Sequence, residues 1–108
     1  DGGIAISTCS KDMPNNMLIA AQAADSLLSI KGIQASFVLA ETASGISISG
    51  RSLGQVNVQL ILERIGGGGH LAVAGAQLKD ITMNEAVDKL TDSIYSYLDE
   101  IGADYSRS

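Results

Sequence analysis

Two short stretches of this chain carry the residue types that bind anions. In Ser49-Gly-Arg-Ser-Leu-Gly-Gln-Val-Asn57 a single arginine stands close to two glycines. A guanidinium can fork onto a phosphate through two parallel hydrogen bonds. Ser52 and Asn57 could add polar contacts. The plainer reading of the same residues is an exposed arginine in a loop, with Asn57 capping the helix that follows. The second stretch is Gly66-Gly-Gly-Gly-His70. Glycines let a backbone approach a ligand closely and can turn successive N–H groups toward an anion. His70 can donate a hydrogen bond to phosphate, stack on a ring or bind a metal. Its plainer reading is a surface histidine after a helix stop. Ordering four glycines costs conformational entropy, so their place between two ordered elements argues for close packing or ligand approach. Neither a Walker-A pattern nor a dinucleotide-binding fingerprint is present, because the helix precedes the glycines.

The residues that are missing narrow the chemistry. His70 is the only histidine, whereas metal catalysis generally takes several His and carboxylate ligands. The segments beside the glycines hold no Asp/His cluster, and no nucleophile elbow supports a Ser-His-Asp triad. Cys9 is the only cysteine. It can form neither an internal disulfide nor a cysteine-rich zinc site, and its apolar neighbours suggest a small buried residue. These residues read as a module that binds an anion and does not hydrolyse it alone.

The elements that must position these stretches follow from hydropathy. Ile4–Cys9 is short, apolar and partly alternating, the pattern of a strand. Lys11-Asp-Met-Pro14 opens a helix, with Asp12 as its cap and Pro14 in the first turn. Met17, Ala20, Ala21, Ala24, Leu27 and Leu28 give that helix an apolar stripe, and Lys31-Gly32 ends it. Ala35–Ala40 is a nearly continuous apolar run, as in a strand covered on both faces. Thr42–Gly45 reads as a turn, and Ile46-Ser-Ile-Ser49 alternates as a half-covered strand does, so the two strands should form a hairpin. Arg51 then follows a strand and precedes a helix marked by Val58, Ile61, Leu62 and Ile65. After the glycines, the later part of Leu71–Leu78 reads as a strand. Thr82-Met-Asn-Glu85 has the form of a capping box. The last helix carries Met83, Ala86, Val87, Leu90, Ile94, Tyr97, Leu98 and Ile101 on one face and Asp88, Asp92 and Asp99 on the other. The expected fold is α/β (α+β): one domain, order β-α-β-β-α-β-α, with a mixed sheet of about four to five strands packed with three helices.

Size and charge agree with one small domain. The chain has 108 residues, 45% hydrophobic and 18% charged. That is enough for a single core and too apolar for disorder. No apolar run nears the ~20 residues of a membrane span, and no cationic, apolar leader opens the sequence. The start at Asp1, without an initiator Met, leads us to expect an excised piece of a longer protein. The net charge of −5 comes from 12 acids and 7 bases. Residues 1–79 are balanced, with five of each; residues 80–108 hold seven acids against Lys89 and Arg107. A grip on duplex DNA or tRNA normally needs a basic surface, which this chain lacks. A small anionic ligand needs only an arginine and a few backbone N–H groups.

At these two stretches the chain resembles a known family. Arg-Ser-Leu-Gly-x-x-Asn-Val (Arg51 to Val58) and Gly-Gly-Gly-Gly-His (Gly66 to His70), followed by Ala74-Gly75-Ala76, resemble the DHH-associated domain of DHH phosphoesterases. Ile19–Leu28 and Ala35–Val38 resemble the subgroup of GdpP-type cyclic-di-AMP phosphodiesterases. The glycine-histidine motif alone points to the superfamily, and the combination points to the subgroup. One departure is Gly50, where relatives usually carry Ala.

The resemblance implies that residues 1–108 form a substrate-binding domain. A preceding DHH domain would hold two manganese ions for hydrolysis of cyclic-di-AMP to linear pApA, and this chain would bind none. Arg51, Ser52 and Asn57, with Gly67, Gly68, Gly69 and His70, would contact the nucleotide and its phosphate, and this piece alone would be inactive. The resemblance also implies a cytoplasmic part of a membrane-anchored bacterial protein. Alternatives are an oligonucleotide (nano-RNA) or pAp phosphatase subdomain, or a non-catalytic RNA-binding module of the alanyl-tRNA synthetase type, against which the acidic last helix counts. A homodimer is left open, although amphipathic stripes more often face a core than a partner.

Overall fold

A computed structural model describes residues 3–9 and 15–107. The chain runs β1 (Ile4–Cys9), α1 (Asn16–Leu27), β2 (Ala35–Thr42), β3 (Gly45–Ser52), α2 (Val58–Glu63), β4 (Gly68–Gly69), β5 (Val73–Lys79) and α3 (Met83–Arg107). The five strands form one sheet in the order β1-β2-β3-β5-β4. β1 and β2 are parallel, which requires the α1 crossover between them. All other neighbours are antiparallel. The mixed sheet with three helices is the expected α/β architecture, with β4 as an added edge strand.

Alternation along the strands sorts residues between two faces. Phe37, Leu39, Ile46, Ile48, Ala74 and Ala76 point to one side and pack with Val58, Ile61, Leu62, Leu90 and Ile94 of α2 and α3. Val38 and Ala40 point to the other side, with Cys9, and meet Ala20 and Ala24 of α1. Every residue from Ala35 to Ala40 is buried, as a strand covered on both faces should be. Cys9 is buried and unpaired.

Hydrogen bonds fix the helices. Thr82 Oγ1 accepts from the Glu85 N–H at 3.1 Å, and Glu85 Oε1 accepts from the Thr82 N–H at 3.1 Å, so the capping box forms as read. Those bonds, from the Thr82 backbone first and its hydroxyl second, hold the Glu85 carboxyl below the usual carboxylate range. Ser93 Oγ donates to the Ile61 carbonyl at 2.5 Å, tying α3 to α2. Asp88, Asp92 and Asp99 lie on the exposed side of α3.

Several boundaries differ from the expected ones, and three of them bear on the helix and strand that frame the site. α1 begins at Asn16 behind a left-handed Asn15 (φ 55°); the expected cap Asp12 and first-turn Pro14 lie outside the described residues. The helix ends at Leu27 rather than Lys31, because N–H groups of Leu28, Ser29 and Ile30 turn to carbonyls three residues back, tightening the chain. Met17, expected in the apolar stripe, is exposed. The third difference is β3, which continues past Ser49 to Ser52, since Ser36 and Ala35 of β2 pair with Arg51 and Ser52.

Candidate functional site

That extension moves Arg51 from a loop onto a strand. Ser47, Ser49 and Arg51 alternate with the buried Ile46, Ile48 and Gly50, so they share the α1 face of the sheet. α1 packs mainly over β2, with parts of β1 and β3, and leaves a cleft of about 530 Å³ over the rest of β3, β5 and the glycine segment, within the roughly 300–1,000 Å³ of small-ligand sites. Ser47, Ser49, Arg51, Gly75 and Gln77 line it from the sheet, and Gly66, Gly67 and Gly68 from the segment after α2. In register, Ser49 pairs with Gly75 and Gly75 with Gly68. Two strand spacings, about 10 Å, therefore separate β3 from β4. Among the described residues, Arg51 is the only charged one in the lining.

The glycines reach this position through a helix cap. The Gly66 N–H donates to the Glu63 carbonyl at 3.2 Å and the Gly67 N–H to the Leu62 carbonyl at 2.8 Å. This pair of bonds is a Schellman cap, with Gly66 in the left-handed conformation (φ 94°). Gly67 then lies so close to β5 that an added Cβ would sit 2.4 Å from the Gly75 carbonyl oxygen and 2.6 Å from the Ala76 Cβ. At Gly68 a Cβ would meet nothing within 4 Å, so that position opens onto the cleft. The Gly66, Gly67 and His70 N–H groups are engaged within the fold, the last with the Val73 carbonyl at 2.7 Å.

The sequence-derived residues thus separate into groups. Arg51, Gly67 and Gly68 line one cleft. Gly69 pairs with Ala74 in the β4–β5 ladder and is exposed, and His70 is exposed just past it. Ser52 is buried and its Oγ accepts from the Gly54 N–H at 2.9 Å, fixing the turn after β3. Asn57 Oδ1 accepts from the Leu60 N–H at 3.1 Å, which is the capping role of its plainer reading. The Asn57 N–H donates to the Tyr97 hydroxyl at 3.0 Å. Gly50 faces the core, where a Cβ would come 3.1 Å from the Phe37 ring and 3.2 Å from Leu62.

Other residues went unremarked in the sequence. Ser47 and Gln77 line the cleft; the alternation of Ile46-Ser-Ile-Ser49 held the signal for the serine. Asp25 of α1 pairs with Arg51, Nε to Oδ1 at 3.0 Å. Nothing local announces a contact between residues so far apart in sequence. Among the described residues, no three or more His, Cys, Asp or Glu side chains come together as a metal site, so the residues here do not fit the manganese that the resemblance implies for the whole enzyme. No described helix is long and apolar enough to cross a membrane.

Fold and site together define an α/β domain with a one-sided cleft of mixed polar and apolar lining, floored by a sheet and walled by glycines. Residues 1–100 match the DHHA1 domain, and the chain belongs to that family. It is 52% identical over 96 residues to the cyclic-di-AMP phosphodiesterase PdeA of Listeria monocytogenes, covering 88% of this chain and 15% of PdeA. It is 33% identical over 73 residues to the bifunctional oligoribonuclease and PAP phosphatase NrnA of Thermus thermophilus, covering 68% of this chain and 22% of NrnA. Among solved structures, an exopolyphosphatase-related protein of Bacteroides fragilis matches with a TM-score of 0.71 at 26% identity, over 84% of this chain and 29% of that one. The chain spans less than a quarter of the length of either curated relative. The family read from Arg51–Val58 and Gly66–His70 is therefore the right one.

Proposed function

We propose that this chain is the substrate-binding half of a phosphodiesterase that opens cyclic-di-AMP to linear pApA, the catalytic half being an upstream DHH domain. The observation that carries the reading is the shared cleft of Arg51 and Gly66–Gly68. The 52% identity to PdeA supports the substrate. In this reading the two manganese ions, which supply activated water, are held by the upstream domain. Arg51 holds a substrate phosphate. Gly68 lets the nucleotide lie close to the backbone, where a side chain would keep it away, and Gly67 and Gly69, whose Cβ positions are taken by β5, contact it through backbone alone. His70, exposed at the end of the glycines, contacts the nucleotide from the rim. Ser52 and Asn57 support the loop leaving Arg51. The reading also places the domain in the cytoplasm, in a membrane-anchored protein.

The test is Arg51→Ala in the full-length phosphodiesterase. Turnover of cyclic-di-AMP should fall about 100-fold, as expected for loss of a phosphate clamp, with Tm unchanged. An unfolded variant, or one with parental turnover, would refute the role. This domain produced alone should show no hydrolysis until the upstream domain is restored. The NrnA relative favours a second reading, a linear oligoribonucleotide or PAP substrate. Competition kinetics between cyclic and linear dinucleotides on the full-length enzyme decide between the two.

A further inference from the structure

Arg51 meets a carboxylate at the cleft, and the contact is one-sided. Asp25 Oδ1 lies 3.0 Å from Nε. On the other side, Nη1 donates to the Gly50 carbonyl at 2.8 Å. A guanidinium has five N–H donors. The hydrogen bond to Gly50 uses one of them, on Nη1, and the Asp25 contact is an ion pair; one N–H on Nη1 and both on Nη2 have no protein partner among the described residues. The outer Nη1–Nη2 edge, which makes a two-point fork onto an oxyanion, thus stays open.

The position of Asp25 is built into the core. Ser36 is fully buried, and its Oγ donates to the Ala24 carbonyl at 2.5 Å. Ser36 is also the register partner of Arg51 across the β2–β3 pair. One strand pair therefore fixes the arginine and, through Ala24, the helix backbone that bears its carboxylate. The Arg51 side chain is 16% exposed and that of Asp25 66%. An ion pair with so exposed a partner contributes little to stability. Its effect falls on the arginine, whose long side chain it holds in one orientation ahead of ligand binding.

We propose that Asp25 is a positioning residue: it holds the Arg51 guanidinium by Nε so that the Nη1–Nη2 edge faces a substrate phosphate in the cleft. This rests on the substrate-binding reading above. The carboxylate acts through its ion pair with the guanidinium.

Asp25→Asn and Asp25→Ala in the full-length phosphodiesterase both remove the ion pair, Asn while keeping the side chain's size and Ala by removing it altogether. With cyclic-di-AMP as substrate, Asp25→Ala should lower kcat/KM about tenfold and Asp25→Asn about fivefold. Calorimetric binding of pApA should follow the same order, with Tm unchanged in both. In an Arg51→Ala background, Asp25→Ala should have no further effect, because it acts through the arginine. Tighter pApA binding by both variants would overturn the proposal, since the carboxylate would then be a competitor for the guanidinium. An equal loss with and without Arg51 would also overturn it. If Arg51→Ala keeps parental turnover, the substrate-binding reading fails and this inference with it. If Arg51→Ala is crippled while Asp25→Ala matches the parent, only the inference fails.

Discussion

The two faces of the sheet use the same strands for opposite ends. Toward α2 and α3, β3 presents Ile46 and Ile48, which are buried in the main core. Toward α1 it presents Ser47, Ser49 and Arg51, which line the cleft. α1 lies over β2 and the neighbouring parts of β1 and β3, with the small side chains of Ala20 and Ala24 against Val38 and Ala40, and leaves the β5–β4 side open at the cleft. One residue step along β3 thus switches between an apolar core and a polar floor. The difference teaches that core packing and cleft lining fall on alternate positions of a single strand, so under the proposed function substitutions should separate stability from ligand binding.

The sharpest way to break this comparison is to set Leu62→Ala against Arg51→Ala. Leu62 is fully buried in the covered core. Its truncation should cost about 3 kcal/mol of stability by denaturant unfolding, through lost transfer energy and a residual cavity. Arg51→Ala should leave stability nearly unchanged and remove activity. A large stability loss at Arg51 would mean that the polar face is structural after all.

Next in size is the contrast between neighbouring glycines. Gly67→Ala forces a methyl onto the Gly75 carbonyl and Ala76 and should destabilise by about 1–3 kcal/mol in urea melts. Gly68→Ala has open space and should keep the parental Tm while raising KM about fivefold, since the methyl occupies the cleft. Equal effects of the two on Tm would show that the glycine wall is not one-sided.

The smallest expected effect belongs to Glu85, at the start of α3 and away from the cleft. Its carboxyl is held below the usual range by Thr82. A depressed folded value means a stabilising contribution that is present above the unfolded value and lost as pH falls through the folded one. Glu85→Gln should flatten that part of the Tm–pH curve between about pH 3 and pH 6, and leave the pH profile of turnover as it was. A shift in the catalytic profile would tie α3 electrostatically to the cleft.

Much of this division can be read from residue order. The run Ala35–Ala40 and the alternation Ile46-Ser-Ile-Ser49 announce their strands, and Thr82 with Glu85 announces the start of α3. Arg51 and the glycines stand out by type. What could not be read depends on partners distant in sequence. β4 is two glycines with no side-chain signal, and it is a strand only because β5 pairs with it. β3 runs to Ser52 because β2 offers Ala35 and Ser36 as partners. The end of α1 is set by three-residue turns that hydropathy does not distinguish from helix. The Asp25–Arg51 pair needs the sheet to exist before the two residues can meet.

The hydrogen bond from the Asn57 N–H to the Tyr97 hydroxyl joins α3 to the backbone that leads away from β3. Tyr97 is buried and sits outside the cleft lining. Removing that one hydroxyl withdraws a brace from the segment that follows β3 and leaves every cleft residue intact. Under the proposed function, alleles that lower activity by degrees, rather than abolish it, would collect on that face of α3, away from the cleft lining.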